Sequence, residues 1–236
     1  APRVLRAYDP NNTEDQTHPV HLDDSERAII EKLRFIDAHH WVVDRIAILN
    51  DDQVEAEDNT SLIIGWGASN NIFQRLLVEG GTLGVRFFRE SNDNLIQRSV
   101  VRDIFVVQGD ALCMILTAAG EPDLVISGNH IVSNELYNCT AGVQLHINDA
   151  SLGTTFPGTV LANNDAYLNE ERYTDCKGNL DPKGDCAAGE FGLVAKGGGT
   201  SSDADGRVHI TRNRIWGWKK SDPTGLASSG SPGTGI

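Results

Sequence analysis

VHITRNRIW (208–216) and TVLANNDAY (159–167) share one sequence motif, and the repetition of this motif decides the fold. Each copy is a short strand-forming run, then an asparagine, then another apolar position. Four related segments precede them: WVVDRIAIL from Trp41, NIFQRLLV from Asn71, NLIQRSVV from Asn94 and LVISGNHIV from Leu124. The equivalent anchors are Val42, Ile72, Leu95, Val125, Val160 and His209, which are 30, 23, 30, 35 and 49 residues apart. Constant strand phrases at irregular spacing predict stacked repeats with variable loops.

An asparagine occurs four residues after each of the last three anchors, at Asn129, Asn164 and Asn213. Asparagine tolerates tight corners and can form hydrogen bonds along a stack of strands. We therefore expect these three side chains at the same corner of successive coils.

A second strand lies between successive anchors, and it reads GVRFF from Gly84, LCMIL from Leu112, GVQLHI from Gly142 and GLVAK from Gly192. Successive side chains of a strand alternate between its two faces. The inward positions are then Val85, Phe87, Cys113, Ile115, Val143, Leu145, Leu193 and Ala195. Two outward columns result, one of Arg86, Met114, Gln144 and Val194, the other of Phe88, Leu116, His146 and Lys196.

These repeats predict an all-β protein, a right-handed parallel β-helix with long loops at one corner. It begins near Arg3 and forms a single domain over residues 1–236. A globular β-sandwich is the alternative, but sandwiches do not repeat one two-strand phrase at fixed offsets. The one helix-like stretch, SERAIIEKLRFI (25–36), is equally compatible with a loop followed by a strand.

Charge and hydropathy narrow the range of partners. The chain has 236 residues, with 20 Lys and Arg against 33 Asp and Glu, a formal net charge of −13. This charge argues against nucleic acid as the main partner. No apolar run approaches the roughly 20 residues that span a bilayer, so no membrane insertion is expected. Because the chain starts at Ala1 and both ends lack a cap, we expect a chain truncated at one or both ends.

Segments GNHIVSN, RNRIWG and GEFGLVAKGGG resemble the right-handed parallel β-helix proteins of the pectate-lyase superfamily. The resemblance implies a secreted carbohydrate-active protein, a polysaccharide lyase that cleaves an acidic, uronate-containing polysaccharide by β-elimination. Such lyases use a Lys or Arg base and a cation that neutralises the uronate carboxylate. Calcium is therefore a possible cofactor. Lys196 best matches the base, although a lysine at a strand end is also commonly a solvated surface charge.

Other candidate site residues surround this lysine in the repeat. His146 lies beside Lys196 in the outward column, and Arg207 could lower the pKa of the lysine and neutralise the uronate. Arg212, Arg86, Trp216 and Trp218 are candidates for binding the acidic sugar. The alternative for the 207–220 cluster is a basic corner with one buried tryptophan. The acidic segment Asp51–Asp58 lacks the spacing of a calcium loop and is read as solvated.

Cys176 and Cys186 enclose the polar loop CKGNLDPKGDC, which a disulfide would close. A disulfide favours an oxidising, extracellular location. A zinc site is the alternative, but no second cysteine pair or histidine cluster accompanies these two residues.

A non-catalytic β-solenoid is the alternative function: a surface adhesin, a sugar-binding module or a scaffold. No complete hydrolase or lyase signature is present, since NHI at Asn129 and RIW at Arg214 are only fragments of such motifs. The sequence identifies neither the polysaccharide nor the oligomeric state.

Overall fold

The structure is a computed structural model, and it describes residues 2–6, 28–50, 61–104, 111–117, 123–139, 141–146, 155–167, 191–196 and 207–217. These residues contain 20 strands. Within these ranges there is no helix long and apolar enough to cross a membrane.

The strands form three sheets, which we call A, B and C. Sheet A contains β1 (Arg3–Arg6), β4 (Trp41–Asp44), β7 (Ile72–Gln74), β10 (Leu95–Gln97), β13 (His130–Val132), β16 (Val160–Ala162) and β19 (His209–Thr211). Sheet B contains β2 (Ala28–Ile30), β5 (Ile46–Asn50), β8 (Leu77–Gly80), β11 (Val100–Arg102), β14 (Glu135–Tyr137), β17 (Asp165–Tyr167) and β20 (Arg214–Trp216). Sheet C contains β3 (Leu33–Ile36), β6 (Ser61–Trp66), β9 (Leu83–Phe88), β12 (Leu112–Thr117), β15 (Ala141–His146) and β18 (Phe191–Lys196).

The chain visits sheets A, B and C in turn, and every pairing between the described strands is parallel. The predicted parallel β-helix is confirmed, and the β-sandwich alternative is wrong. The described part of the helix-like stretch, residues 28–36, forms β2 and β3 and not a helix.

The core consists of columns of apolar side chains that point inward from each sheet. Its largest fully buried members are Phe73, Phe87, Ile48, Ile63, Leu76, Ile104, Met114, Leu116, Ile126, Ile131 and Leu136. Burial of each such side chain stabilises the fold by about 1.5–3 kcal/mol. Stacking of coils is therefore driven by apolar contacts between equivalent positions.

From the second coil onward the corner between sheets A and B is short, with one residue between β4 and β5 and two residues between the strands of each later coil. The first of these residues has a positive φ each time: Arg45, Arg75, Arg98, Ser133, Asn163 and Arg212, at 51–58°. Variable connections occur instead at both corners that flank sheet C, for example from Asn50 to Ser61 and from Thr117 to His130. Long connections thus occur at both corners beside sheet C, and also at the A–B corner of the first coil, between β1 and β2, where the sequence predicted one loop-bearing corner.

Buried asparagines form a ladder at each of two corners. At the A–B corner, the backbone N and Nδ2 of Asn134 donate to Oδ1 of Asn164, at 3.0 and 3.1 Å. Asn164 donates in the same way to Asn213, at 2.9 and 3.0 Å. Asn71, Asn94 and Asn129 repeat the arrangement at the C–A corner. The predicted hydrogen bonding along the stack is present, and it satisfies amides that would otherwise be costly to bury.

One asparagine was assigned to the wrong corner. His130, not Val125, pairs with Leu95 and with Val160, so the fourth repeat begins at His130. Asn134 is therefore the equivalent of Asn164, and Asn129 lies at the other corner. Val125 pairs instead with Thr155 in an isolated parallel bridge outside the named strands.

For β12, the sequence prediction of which residues point inward is wrong by one position. Met114 pairs with Val85 and Leu116 pairs with Phe87. Met114 and Leu116 are therefore core residues, not outward ones, and Ile115 takes the outward position. Cys113 is buried in the core as predicted. Cys113 occupies the position that is Gly84, Gly142 or Gly192 in other coils. Glycine is favoured at position 84 because a Cβ there would lie 2.6 Å from Cγ1 of Val101.

A disulfide joins Cys113 of β12 to Cys139, which follows β14. Their Cα atoms are 5.5 Å apart, and both residues are buried. The bridge closes a segment with a sequence separation of 26, and a loop of this size contributes about 3–4 kcal/mol in the chain-entropy model. The predicted pair Cys176 and Cys186 lies outside the described residues.

Candidate functional site

The backbone register of sheet C aligns two columns of residues, and the side chains described on β9, β12 and β15 belong to its outer face. The first runs through Arg86, Ile115, Gln144 and Val194 in hydrogen-bonded register. The second runs through Trp66, Phe88, Thr117, His146 and Lys196. Both columns follow the sequence prediction except on β12, where Ile115 and Thr117 replace Met114 and Leu116. Neighbouring strands are about 4.8 Å apart.

His146 and Lys196 are direct partners in the register of β15 and β18. Both end their strands, so they stand side by side at the edge of sheet C that leads to sheet A. His146 is half-buried. The predicted catalytic pair is thus adjacent in the backbone, and its chemical role stays a prediction.

The middle of this outer face is covered. Ile115 is 6 % exposed, Thr117 is 3 % exposed and Gln144 is 1 % exposed. Ile115 packs in a small apolar cluster with Leu83, Leu112 and Ala141, separate from the main core. The outer surface of β12 and β15 is therefore not an open groove.

The N-terminal part of the same face is more open and carries cations on aromatic rings. Cζ of Arg89 lies 3.8 Å from the ring centroid of Trp66, and Cζ of Arg86 lies 4.7 Å from that of Phe88. The Trp66 and Phe88 rings meet edge to face at 4.5 Å. We call these four residues the arginine–aromatic patch. The sequence prediction used only Arg86, although strand alternation in SLIIGW already places Trp66 in the column of Phe88.

Arg86 is the cation of this patch with the fewest compensating contacts. It is half-buried, and its Nε is buried without a hydrogen-bond partner. Burial lowers the pKa of the guanidinium below its ordinary value. An arginine remains charged in spite of such a shift.

The other predicted arginines lie elsewhere on the helix. Arg212 is exposed at the A–B corner, which is the corner opposite sheet C. Arg207 is exposed and precedes β19 of sheet A. Arg212 therefore does not share a face with Lys196 or Arg86.

Trp216 is the last member of an aromatic stack on the outer face of sheet B. Tyr137 stacks on Tyr167 at 4.9 Å, and Tyr167 stacks on Trp216 at 4.5 Å, with nearly parallel rings. One face of Trp216 is thus occupied by Tyr167, which limits the ring available to a sugar. The sequence prediction missed both tyrosines, although they occupy the position of Trp216 in earlier repeats. Trp218 lies outside the described residues.

The two tyrosine hydroxyls of this stack have hydrogen-bond partners. Nη1 of Arg102 donates to Oη of Tyr137 at 2.9 Å, and Oη of Tyr167 donates to Oε1 of Glu135 at 2.6 Å. Burial, followed by the hydrogen bond to Glu135, raises the pKa of Tyr167 well above its ordinary value. The stack is therefore a self-contained stabilising element.

Among the described residues, no group of three or more His, Cys, Asp or Glu side chains is arranged to hold a metal ion. The acidic segment Asp51–Asp58 lies outside them. No protein-family model matches this chain, and no curated protein sequence matches it either. The functional assignment must therefore come from the site.

Proposed function

We propose that this chain is an extracellular β-helix protein that cleaves an acidic, uronate-containing polysaccharide by β-elimination. The adjacency of His146 and Lys196 at the edge of sheet C is the observation that carries the proposal. The resemblance of GEFGLVAKGGG to polysaccharide lyases of the pectate-lyase superfamily supports Lys196 as the base. The Cys113–Cys139 disulfide supports an oxidising compartment.

In this reaction Lys196, in its neutral form, takes the proton from the carbon next to the uronate carboxylate. The electron pair left behind forms a carbon–carbon double bond, and the glycosidic C–O bond at the β carbon breaks. His146 is placed to give a proton to the departing oxygen. Arg207 and a cation such as calcium are candidates to neutralise the carboxylate, which makes the proton more acidic.

The test is incubation with pectate, alginate and glucuronan, with and without calcium, while ultraviolet absorbance records unsaturated ends. Lys196→Ala should lower turnover by about 100- to 10,000-fold, the usual range for loss of a general base. Lys32→Ala, a described lysine between sheets B and C, is the matched control and should retain activity. Undiminished activity of Lys196→Ala would remove this residue from the mechanism.

A non-catalytic solenoid is the second candidate, and the covered outer face of β12 and β15 favours it. Ile115, Thr117 and Gln144 leave little surface for a polymer there. This candidate predicts binding to acidic polymers, or to none, without unsaturated products. Lyase activity of the unsubstituted chain on any of the three polymers would exclude it.

A further inference from the structure

The arginine–aromatic patch is built to hold positive charge in place. Stacking on Phe88 and Trp66 fixes the planes of the Arg86 and Arg89 guanidinium groups. When a guanidinium group stacks on an aromatic ring, the N–H donors at its edge stay free to form paired hydrogen bonds with a carboxylate. A flexible surface arginine would lose more conformational entropy on binding an anion.

Arg86 lacks the counter-charge that a half-buried cation normally has. Half-buried Arg102 is paired with Glu79 at 2.7 Å, whereas half-buried Arg45 also has a buried Nε without an acceptor. No carboxylate in the described ranges contacts Arg86, and its buried Nε has no acceptor. Groups of this kind are rare in folded proteins because the missing partner costs stability. Among the described residues, Arg86 is therefore a half-buried cation with no carboxylate beside it.

The surroundings of the patch are accessible. Arg34 precedes Arg86 by two strands in the same outward column and is exposed. Ile36, in the column of Trp66, is 61 % exposed. The covered strands β12 and β15 separate this end of sheet C from Lys196 of β18. A ligand at the patch would therefore not occupy the His146–Lys196 pair.

We propose that the arginine–aromatic patch is a second anion-binding site, which receives the carboxylate of an acidic sugar at Arg86. The identity of the sugar rests on the proposed function, whereas the anion site itself does not. Arg86 of β9 lies two strands from His146 and three strands from Lys196, separations of about 10 and 14 Å at the usual spacing of strands. It therefore anchors the polymer without taking part in bond cleavage.

The experiment measures binding of a galacturonate octamer by calorimetry in a Lys196→Ala background, which prevents turnover. Arg86→Gln should weaken binding about 10- to 150-fold, the equivalent of the about 1.5–3 kcal/mol that a charge-assisted hydrogen bond contributes. Arg214→Gln is the matched control: it removes the same charge from an exposed arginine on sheet B. Its affinity should equal that of the unsubstituted background. Arg86→Lys keeps the charge but loses the fork, and it should bind with intermediate affinity.

Equal affinities of Arg86→Gln and Arg214→Gln would overturn the site. If Arg86→Gln does not fold, as judged by circular dichroism, unchanged affinity of Arg86→Lys overturns it instead. Dextran sulfate and neutral dextran distinguish the ligand, since binding of sulfate but not of uronate would refute the carboxylate assignment. Arg86-dependent binding without any turnover would contradict the lyase proposal alone. Turnover with Arg86-independent binding would contradict this site alone.

Discussion

Arg75 donates two hydrogen bonds to the buried carboxylate of Asp44, from Nε to Oδ1 at 2.6 Å and from Nη2 to Oδ2 at 2.7 Å. The two residues belong to adjacent coils, so this ion pair ties β4 to the corner that follows β7. Asp44 is 0 % exposed. The charge therefore depends on its partners for compensation.

Removal of one partner should be costly. We expect Arg75→Met to lower the free energy of unfolding by about 3–5 kcal/mol, because it leaves a buried carboxylate without its guanidinium. The Asp44→Leu, Arg75→Met double variant should be more stable than Arg75→Met, since no uncompensated charge remains. Urea denaturation measures both. A double variant less stable than Arg75→Met would show that the pair itself is not the source of the loss.

Substitution of two neighbouring asparagines should change stability by very different amounts. Asn164→Ala removes the acceptor of Asn134 and the donor to the carbonyl of Ile131, and we expect a loss of about 3 kcal/mol. Asn163→Gly is the control, because Asn163 is exposed with φ of 56°. Glycine adopts this conformation freely, so stability should change by less than about 1 kcal/mol. Equal losses in chemical denaturation would refute the ladder as the cause.

The disulfide should be closed and protected in the native protein. Alkylation in denaturant without reductant is expected to leave Cys113 and Cys139 unlabelled, as mass spectrometry of their peptides would show. Cys139→Ala should lower the free energy of unfolding by about 3–4 kcal/mol. Because both residues are buried, a reductant should act on them mainly after denaturation. Labelled Cys113 in the oxidised protein would disprove the bridge.

Alkaline pH should destabilise the fold partly through Tyr167. Burial and the hydrogen bond to Glu135 raise its pKa in the folded state above the unfolded value of about 10. The folded protein then retains a proton that the unfolded chain loses. This contribution to stability is complete below about pH 10 and is lost as the pH rises through the folded pKa. Tyr167→Phe should show a shallower loss between about pH 9 and 11 in urea denaturation, and an unchanged slope would contradict this assignment.

Strand alternation allowed much of the core to be predicted, and it failed where alternation is absent. On β9, Val85 is buried and Arg86 is half-exposed, so the phase is visible in the residues. All six residues of β12 are buried and its sequence is LCMILT. An uninterrupted apolar strand carries no signal for its phase, and a shift of one residue exchanges its two faces.

Long-range pairings were harder to predict than the strands. Val125 matches the repeat anchors in sequence, because an apolar residue follows it and an asparagine occurs four residues later. It does pair with the next coil, but in an isolated bridge outside sheet A. Cys113 and Cys139 lie in different coils, and loop length alone favours the nearer pair Cys176 and Cys186. His146 and Lys196 were correctly placed side by side because both sit at equivalent strand ends.

From the second coil onward the A–B corner is only one or two residues long, so the corners beside sheet C are the places where loops can be exchanged. An insertion at the A–B corner would interrupt the buried amide ladder in the middle of the stack. At the two corners beside sheet C, connections of very different lengths already leave the pitch of the coils unchanged. Because lengthening a loop costs little entropy, new sequences grafted between Asn50 and Ser61 should leave the neighbouring coils intact. New binding loops can thus be added at the two corners beside sheet C, while the short A–B corner keeps successive coils aligned.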